Sequence, residues 1–306
     1  MRKDLQMKIL EVKGNTYIID TGMSYIPFYK INNEEIIMLD TGWAKGERDG
    51  LQELLNNNGF KVSGILCSHA HIDHVGNNAY FKEKYNSIIA MPAYEAHICS
   101  SPLNLKLYFN TQTLSEVMEH SGSMICKTDI FINRDNDQIT LCGIKFNILH
   151  TPGHSPDHIC IITPDNAAYL GDALISYEVM ESSKLPYAFV LKEDLKSKGS
   201  LYNLKCSKYI VAHKGVYDNI TKLVADNIMF YKYRAEVIYS VIEGEMTMEE
   251  IFKAVIKKCR IWVNNKYRYS VVERMLRSYI QYLDESGAIV PEMVDGFLKY
   301  KKQGDI

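Results

Sequence analysis

The chain has 306 residues, enough for one large domain with its own core and a smaller second domain. Its formal net charge of −2 excludes a strong whole-molecule field that would attract nucleic acid or membranes. The first ten residues mix charged and apolar side chains, and no later stretch is apolar over ~18 residues. The seven cysteines are scattered and form no C-x-x-C pair. The sequence therefore predicts a cytoplasmic protein with reduced thiols and no membrane span.

Short β-branched and aromatic runs open the chain and predict strands over residues 17–19, 26–29, 36–39 and 62–67. Leucines at helical spacing predict a helix over residues 48–58 that covers one face of the sheet, and a second helix is predicted over residues 77–85. The strand over 62–67 and the helix over 77–85 flank a polar loop. Side chains at the carboxyl end of a strand commonly form ligand sites in α/β folds.

This loop reads Cys67-Ser68-His69-Ala70-His71-Ile72-Asp73-His74, with four potential metal ligands within six residues. In an extended segment, alternate residues point the same way, so His69, His71 and Asp73 can converge while His74 turns to a neighbouring position. Imidazole and carboxylate groups are typical ligands of zinc and similar divalent ions. The loop therefore predicts ligands for two metal ions.

Later in the chain, three polar residues follow predicted strands: His154, Asp172 and His213. Each alone is more often a loop or capping residue, but their joint placement favours a shared site. His97, His120 and His158 are interpreted as packing or surface residues. Helical pieces between residues 93 and 128 predict a lid or pocket wall. Tyr177, Tyr187 and Lys214 lie near the ligand motifs and are weaker candidates for substrate contact.

Together with Asp40 in Leu39-Asp40-Thr41-Gly42, these motifs resemble the metallo-β-lactamase superfamily in content and order. The resemblance covers about residues 15–215 and implies an α/β, four-layer αββα sandwich, assigned to residues 1–225. It implies that Asp40 orients the His69 loop from behind the ligands. The implied ligand set is His69, His71 and His154 at one metal, Asp73, His74 and His213 at the other, and Asp172 between them.

The predicted function is a metal-dependent hydrolase that uses two divalent ions, zinc first and iron or manganese as alternatives. A metal-bridging hydroxide is expected to attack a small-molecule ester or thioester, with Asp73 and Asp172 as catalytic residues. One alternative is an endoribonuclease that cleaves phosphodiesters. The other is a mononuclear-iron dioxygenase, since two histidines and one aspartate can hold Fe(II). The intact second ligand set disfavours that last alternative.

Residues 226–306 predict a small α+β winged-helix domain. Helices are expected over 227–242, 248–258 and 271–284, with capping boxes at Thr247-x-x-Glu250 and Ser270-x-x-Glu273. A hairpin is expected over 288–300 around Asp295-Gly296. The pattern resembles the winged-helix module of some metallo-β-lactamase hydrolases. Residues 253–277 are rich in Lys and Arg, so RNA is a possible partner, but packing or a homodimer through this domain is favoured.

Overall fold

The computed structural model describes residues 7–303, so most of the first ten residues, whose mixed charged and apolar side chains entered the prediction of no membrane span, lie outside the described residues. Its first sheet is antiparallel through β4 and parallel from β4 onward. The seven strands lie side by side in chain order: β1 (Lys8–Lys13), β2 (Thr16–Asp20), β3 (Tyr25–Lys30), β4 (Glu35–Leu39), β5 (Lys61–Leu66), β6 (Ile88–Pro92) and β7 (Ile130–Ile132).

The second sheet has six strands that also follow chain order: β8 (Gln138–Leu141), β9 (Ile144–His150), β10 (Ile159–Ile162), β11 (Ala167–Tyr169), β12 (Lys208–Val211) and β13 (Gly215–Tyr217). Only the β11–β12 pair in this sheet is parallel. A buried apolar cluster joins the inner faces of the two sheets, with Tyr29 and Leu66 from the first and Phe146 and Ile210 from the second. The Tyr29 and Phe146 rings meet edge to face at 5.8 Å. The sheets therefore form a sandwich.

Helices cover both outer faces of this sandwich. Leu51, Leu55 and Phe81 pack on the first sheet, while Leu223 and Val224 pack on the second. The α/β sandwich prediction is thereby confirmed, and none of the described helices is long and apolar enough to cross a membrane. The helices are α1 (Ala44–Asn57), α2 (Ile72–Val75), α3 (Asn78–Tyr85), α4 (Ala93–Cys99), α5 (Pro102–Tyr108), α6 (Leu114–Ser121), α7 (Tyr177–Ser182), α8 (Leu191–Ser200), α9 (Thr221–Ser240), α10 (Met248–Lys258) and α11 (Lys266–Glu285).

Some elements differ from the sequence prediction. Strand β1 was not predicted because it is an edge strand whose side chains are mostly exposed and include charges. The capping box predicted at Thr247 is confirmed. The one predicted at Ser270 is wrong, because Asn265 caps α11 by accepting the Arg268 amide at 2.8 Å. Ser270 therefore lies inside the helix on its buried face.

The C-terminal part contains α9, α10, α11 and a three-stranded sheet of β14 (Met246–Thr247), β16 (Phe297–Lys302) and β15 (Ile289–Val294). Helix α9 runs through the predicted domain boundary at residue 226. The Asn227 amide in α9 bonds both backbone groups of Ile175, at 2.9 and 3.0 Å. One apolar core holds Ile175 and Leu191 together with Leu276 and Tyr279. The division at residue 226 and the winged-helix assignment stay predictions.

Candidate metal centre

Three histidines from two loops meet at the first cluster. The loop after β5 carries His69 and His71, and the loop after β9 carries His154. His71 Nδ1 lies 2.9 Å from His69 Nε2 and 3.1 Å from His154 Nε2. Asp172 Oδ2 lies 3.3 Å from His154 Nε2 and 4.0 Å from His69 Nε2. These four residues offer ligand atoms within 4.8 Å of one another.

A second cluster lies on the other side of Asp172. Asp73 Oδ2 is 3.4 Å from His213 Nε2 and 3.9 Å from His74 Nε2. Asp172 Oδ1 is 3.5 Å from His74 Nε2 and 3.4 Å from His213 Nε2. Asp172 therefore presents one oxygen to each cluster. The structure brings together all seven residues that the sequence predicted as ligands, in the two predicted groups.

The strand ends that carry these ligands are held by close backbone contacts. Asp172 follows β11 through Gly171, whose φ is +50°. A Cβ at Gly171 would lie 2.7 Å from His158 Nε2 and 3.0 Å from Ser68 Oγ, so only glycine fits. His158 Nε2 accepts the Asp172 amide at 3.1 Å, and His158 Nδ1 donates to Thr151 Oγ1 at 2.8 Å. His158 thus positions the backbone of Asp172, while its imidazole stays outside both clusters.

Asp40 lies behind the ligands, where the resemblance places it. Its Oδ2 accepts hydrogen bonds from His74 Nδ1 at 2.8 Å, Ser68 Oγ at 2.6 Å and Tyr169 Oη at 2.7 Å, and its Oδ1 accepts the Ser68 amide at 2.7 Å. Because Ser68 Oγ donates to Asp40, it accepts from His69 Nδ1 at 2.9 Å. This network directs Nε2 of both His69 and His74 toward the clusters.

Glu95 was not predicted as part of the site. Its fully buried carboxylate accepts the Ala70 amide at 2.9 Å, the Ser155 hydroxyl at 2.6 Å and the Asp157 amide at 2.8 Å. Ala70 lies between two ligands and Ser155 follows His154. Glu95 therefore connects the two loops that form the first cluster. Burial raises the pKa of Glu95, and these hydrogen bonds partly offset the rise.

The donor set fits a pair of divalent cations. His74 Nε2 and Asp172 Oδ1 are shielded from solvent and have no hydrogen-bond partner in the described part of the chain. Burial lowers the pKa of His69 and of His71 well below the ordinary value, which favours the neutral imidazole that binds metal. The Asp172 carboxylate raises the pKa of His213 to about 10. A cation between these residues would satisfy both orphaned atoms and displace that proton.

Two tyrosines border the first cluster. Tyr108 Oη is 3.3 Å from His71 Nε2 and 3.4 Å from Tyr187 Oη. The Tyr187 ring lies 5.2 Å from the His71 ring. Tyr108 belongs to the segment predicted as a lid or pocket wall, although the sequence did not indicate this residue itself. The Tyr177 hydroxyl instead donates to the Asp226 carboxylate at 2.9 Å on the surface.

Comparison with known proteins agrees with this geometry. A family model described as "Metallo-beta-lactamase superfamily" matches residues 9–213, which is more than half of the chain. The chain belongs to this superfamily. Its members are generally metal-dependent hydrolases, which confirms the prediction of an enzyme of this class.

Curated relatives within the superfamily match parts of this chain. It is 33% identical to an uncharacterized protein of Aquifex aeolicus over 42% of this chain and 53% of that protein. It is 24% identical to the lactamase-like protein aptB of Emericella nidulans over 79% of this chain and 67% of that protein. It is 27% identical to a hydroxyacylglutathione hydrolase of Idiomarina loihiensis over 47% of this chain and 44% of that protein. The chain thus spans about half the length of the first and third of these relatives.

Two solved structures match almost the whole length of this chain. A metallo-beta-lactamase family protein from Thermus thermophilus has a TM-score of 0.68 at 18% identity, over 97% of this chain and 99% of the other. A beta-lactamase domain protein from Burkholderia ambifaria has a TM-score of 0.71 at 16% identity, over 97% and 94% of the two chains. At these identities the likeness shows the fold alone.

Proposed function

We propose that this protein hydrolyses a small-molecule ester or thioester at a centre of two divalent metal ions. The observation that carries the proposal is that the two carboxylate oxygens of Asp172 face different clusters. Its Oδ2 faces His69 and His154, and its Oδ1 faces His74 and His213. A carboxylate shared in this way is suited to bridging two cations. The similarity to a hydroxyacylglutathione hydrolase supports thioester substrates.

The residues of the site divide the chemical tasks. When bound by these residues, a metal pair would supply Lewis acidity and activate a water molecule for attack. The side chain of Asp73 is 40% exposed, whereas that of Asp172 is 9% exposed, so Asp73 is the carboxylate that faces entering molecules. We assign Asp73 to accept the proton of the attacking water. Asp172 holds the two clusters together and stays ionised beside His74 and His213.

The substrate carbonyl is expected to lie between the two clusters, where attack on an ester or thioester would release an alcohol or a thiol. Tyr108 and Tyr187 form an aromatic wall beside His71. No serine or cysteine nucleophile is required, and Cys67 is fully buried behind the ligand loop. Zinc is the proposed occupant, with iron or manganese as alternatives, because imidazole and carboxylate ligands suit all three.

The test is metal-dependent turnover. Protein stripped with a chelator and then supplied with zinc, iron or manganese should bind about two ions per chain and hydrolyse simple thioesters. Asp172→Asn should lose the second ion and reduce turnover to the background rate, while circular dichroism stays native. His97→Ala is the matched control, because His97 is an exposed histidine outside both clusters. Wild-type turnover in Asp172→Asn would contradict the proposal.

The two alternative functions receive less support. A mononuclear-iron dioxygenase does not need the second cluster, yet Asp73, His74 and His213 converge beside the first. An endoribonuclease assisted by the C-terminal part would use its basic residues for phosphate contacts. Two of those residues are already paired within the chain: Lys266 pairs with Glu116, and Arg277 pairs with Glu273.

The RNA alternative is tested with the same preparation. Single-stranded RNA and a thioester are assayed side by side over a range of salt concentrations. RNA cleavage that weakens steeply with salt would favour the endoribonuclease, since phosphate contacts release counterions. Thioester turnover without RNA cleavage would support the proposal. The homodimer through the C-terminal part stays a prediction that sedimentation can test.

A further inference from the structure

One positively charged side chain of the C-terminal part, Arg274, lies next to the candidate metal centre. Arg274 belongs to α11, and its guanidinium carbon lies 4.0 Å from the centroid of the Tyr108 ring. The same carbon lies 4.9 Å from the Phe109 ring and 5.0 Å from the Tyr187 ring. Arginine side chains stack favourably on aromatic faces, so these rings hold the guanidinium in a defined orientation.

The same tyrosines connect Arg274 to the first cluster. Tyr108 Oη lies 3.3 Å from His71 Nε2, and the Tyr187 ring lies 5.2 Å from the His71 ring and 5.5 Å from the His154 ring. The guanidinium is therefore separated from His71 by one layer of aromatic rings. A substrate whose carbonyl reaches the metals could place another group beside Arg274.

Arg274 has unused hydrogen-bonding capacity. Its Nη2 is shielded from solvent and has no acceptor among residues 7–303. The adjacent carboxylate on α11 pairs with another cation, since Glu273 Oε1 accepts from Arg277 at 2.6 Å. The neighbouring Tyr108 and Tyr187 are neutral groups, so they supply no anion to this guanidinium. A shielded guanidinium without an anion is costly, so an anionic group that enters the site would gain a strong interaction.

We propose that Arg274 recognises a carboxylate on the substrate and makes this enzyme selective for anionic esters or thioesters. The planar fork of the guanidinium matches a carboxylate, and Tyr108 and Tyr187 orient it. The inference rests on the proposed hydrolase function and narrows its substrate class. The carboxylate can lie on the acyl side or on the thiol side of the scissile bond, and the experiment distinguishes the two.

Three thioesters test the proposal with zinc-loaded enzyme. S-phenyl thiovalerate is neutral, S-phenyl monothioglutarate carries a carboxylate on the acyl side, and the thiovalerate of 4-mercaptobenzoate carries one on the thiol side. At least one of the two anionic thioesters should have a kcat/KM about tenfold or more above that of the neutral thioester. This is the effect expected from one charge-assisted hydrogen bond. Arg274→Gln should abolish that preference, by lowering kcat/KM for the anionic thioester far more than for the neutral one.

Two further variants separate recognition from structure. Arg277→Gln removes a neighbouring cation on the same helix and should keep the wild-type preference. Arg274→Lys keeps a cation over the rings and should fold even if Arg274→Gln does not. It should still lose most of the preference, because an ammonium group cannot form the paired hydrogen bonds. Equal kcat/KM for all three thioesters in the wild type, or an unchanged preference in both Arg274 variants, would overturn the proposal.

A binding measurement distinguishes failure of this inference from failure of the hydrolase proposal. Calorimetry is run with the amides in which nitrogen replaces the thioester sulfur. If the wild type hydrolyses no thioester, the hydrolase proposal fails, and the amides still test Arg274. Tighter binding of a carboxylate amide to the wild type than to the Arg274 variants supports the inference. Equal affinity of the neutral and anionic amides for the wild type would refute it.

Discussion

Replacing Asp40 with Asn tests whether this carboxylate orients the metal ligands. The φ of Asp40 is 64°, a left-handed conformation that Asn tolerates well, so the substitution changes charge and hydrogen bonding rather than the backbone. The amide can keep its oxygen toward His74, Ser68 Oγ and Tyr169. Its NH₂ group then faces the Ser68 amide, which now donates to Asp40 Oδ1 at 2.7 Å. The side-chain NH₂ group and the Ser68 amide are both donors, so neither would find an acceptor in the other.

The expected losses of stability and of zinc affinity follow from these hydrogen bonds. A buried amide left without an acceptor costs about 1–3 kcal/mol. The three bonds to Oδ2 also become neutral and weaker, although removal of a buried charge relieves part of its desolvation cost. We therefore expect the metal-free variant to lose about 1–3 kcal/mol in unfolding free energy. Its zinc affinity should fall about 10- to 100-fold, because the weaker hydrogen bonds hold His69 and His74 less firmly in their metal-binding orientation.

The assay compares urea unfolding of chelated protein with zinc titration against a chromophoric chelator. Asp165→Asn is the matched control, because Asp165 Oδ2 also accepts a backbone amide and a threonine hydroxyl, at 2.8 and 2.9 Å, but lies at the opposite end of β11. It should leave zinc affinity unchanged. Native circular dichroism together with wild-type zinc affinity in Asp40→Asn would refute the orienting role.

Three further predictions concern other contacts. His158→Ala leaves the Asp172 amide unpaired and should lower zinc affinity about 10- to 100-fold in the chelator titration. Wild-type zinc affinity in this variant would contradict the positioning role of His158. Leu276→Ala should cost about 2–5 kcal/mol in unfolding free energy. Because its core also contains Ile175 and Leu191, the combined emission of Trp43 and Trp262 and circular dichroism should report one shared transition, and separate transitions would refute the shared core. The Lys266 hydrogen bond lowers the pKa of Glu116 from 4.5 to about 2, so this ion pair stabilises fully above about pH 4.5 and its contribution is lost as pH falls through about 2. The stability difference between wild type and Glu116→Gln should therefore shrink as pH falls from about 4.5 to about 2, and a difference that stays constant over this range would contradict the assignment.

The ligands could be predicted because their signals are local. His69 to His74 form one dense motif, and the distant ligands His154, Asp172 and His213 each follow a strand that is recognisable from its apolar residues. Parallel and neighbouring strands bring their ends to one edge of a sheet, so these positions converge once the order of strands is known. The resemblance to a superfamily supplied that order.

The supporting residues could not be predicted because their signals depend on packing between distant segments. Glu95 lies in the first turn of α4, where an acidic residue is common at the surface. Its burial arises only when the loops of Ala70 and Ser155 close on it. Arg274 lies in a basic run for which the sequence favoured packing or a homodimer over RNA binding. Helical spacing offers one clue, since Arg274 is four residues from both Ser270 and Ser278 on the buried face of α11.

The position of Tyr187 connects the C-terminal helices to the chemistry of the site. Its ring borders His71 and His154, while its backbone carbonyl accepts from Tyr231 in α9 at 3.3 Å. The preceding carbonyl, of Pro186, accepts from Tyr279 in α11 at 3.0 Å. Both tyrosines are buried, so these bonds hold the segment from the side away from the metals. We therefore expect changes in α9 or α11 to alter which substrates the proposed hydrolase accepts, while every proposed metal ligand stays in place.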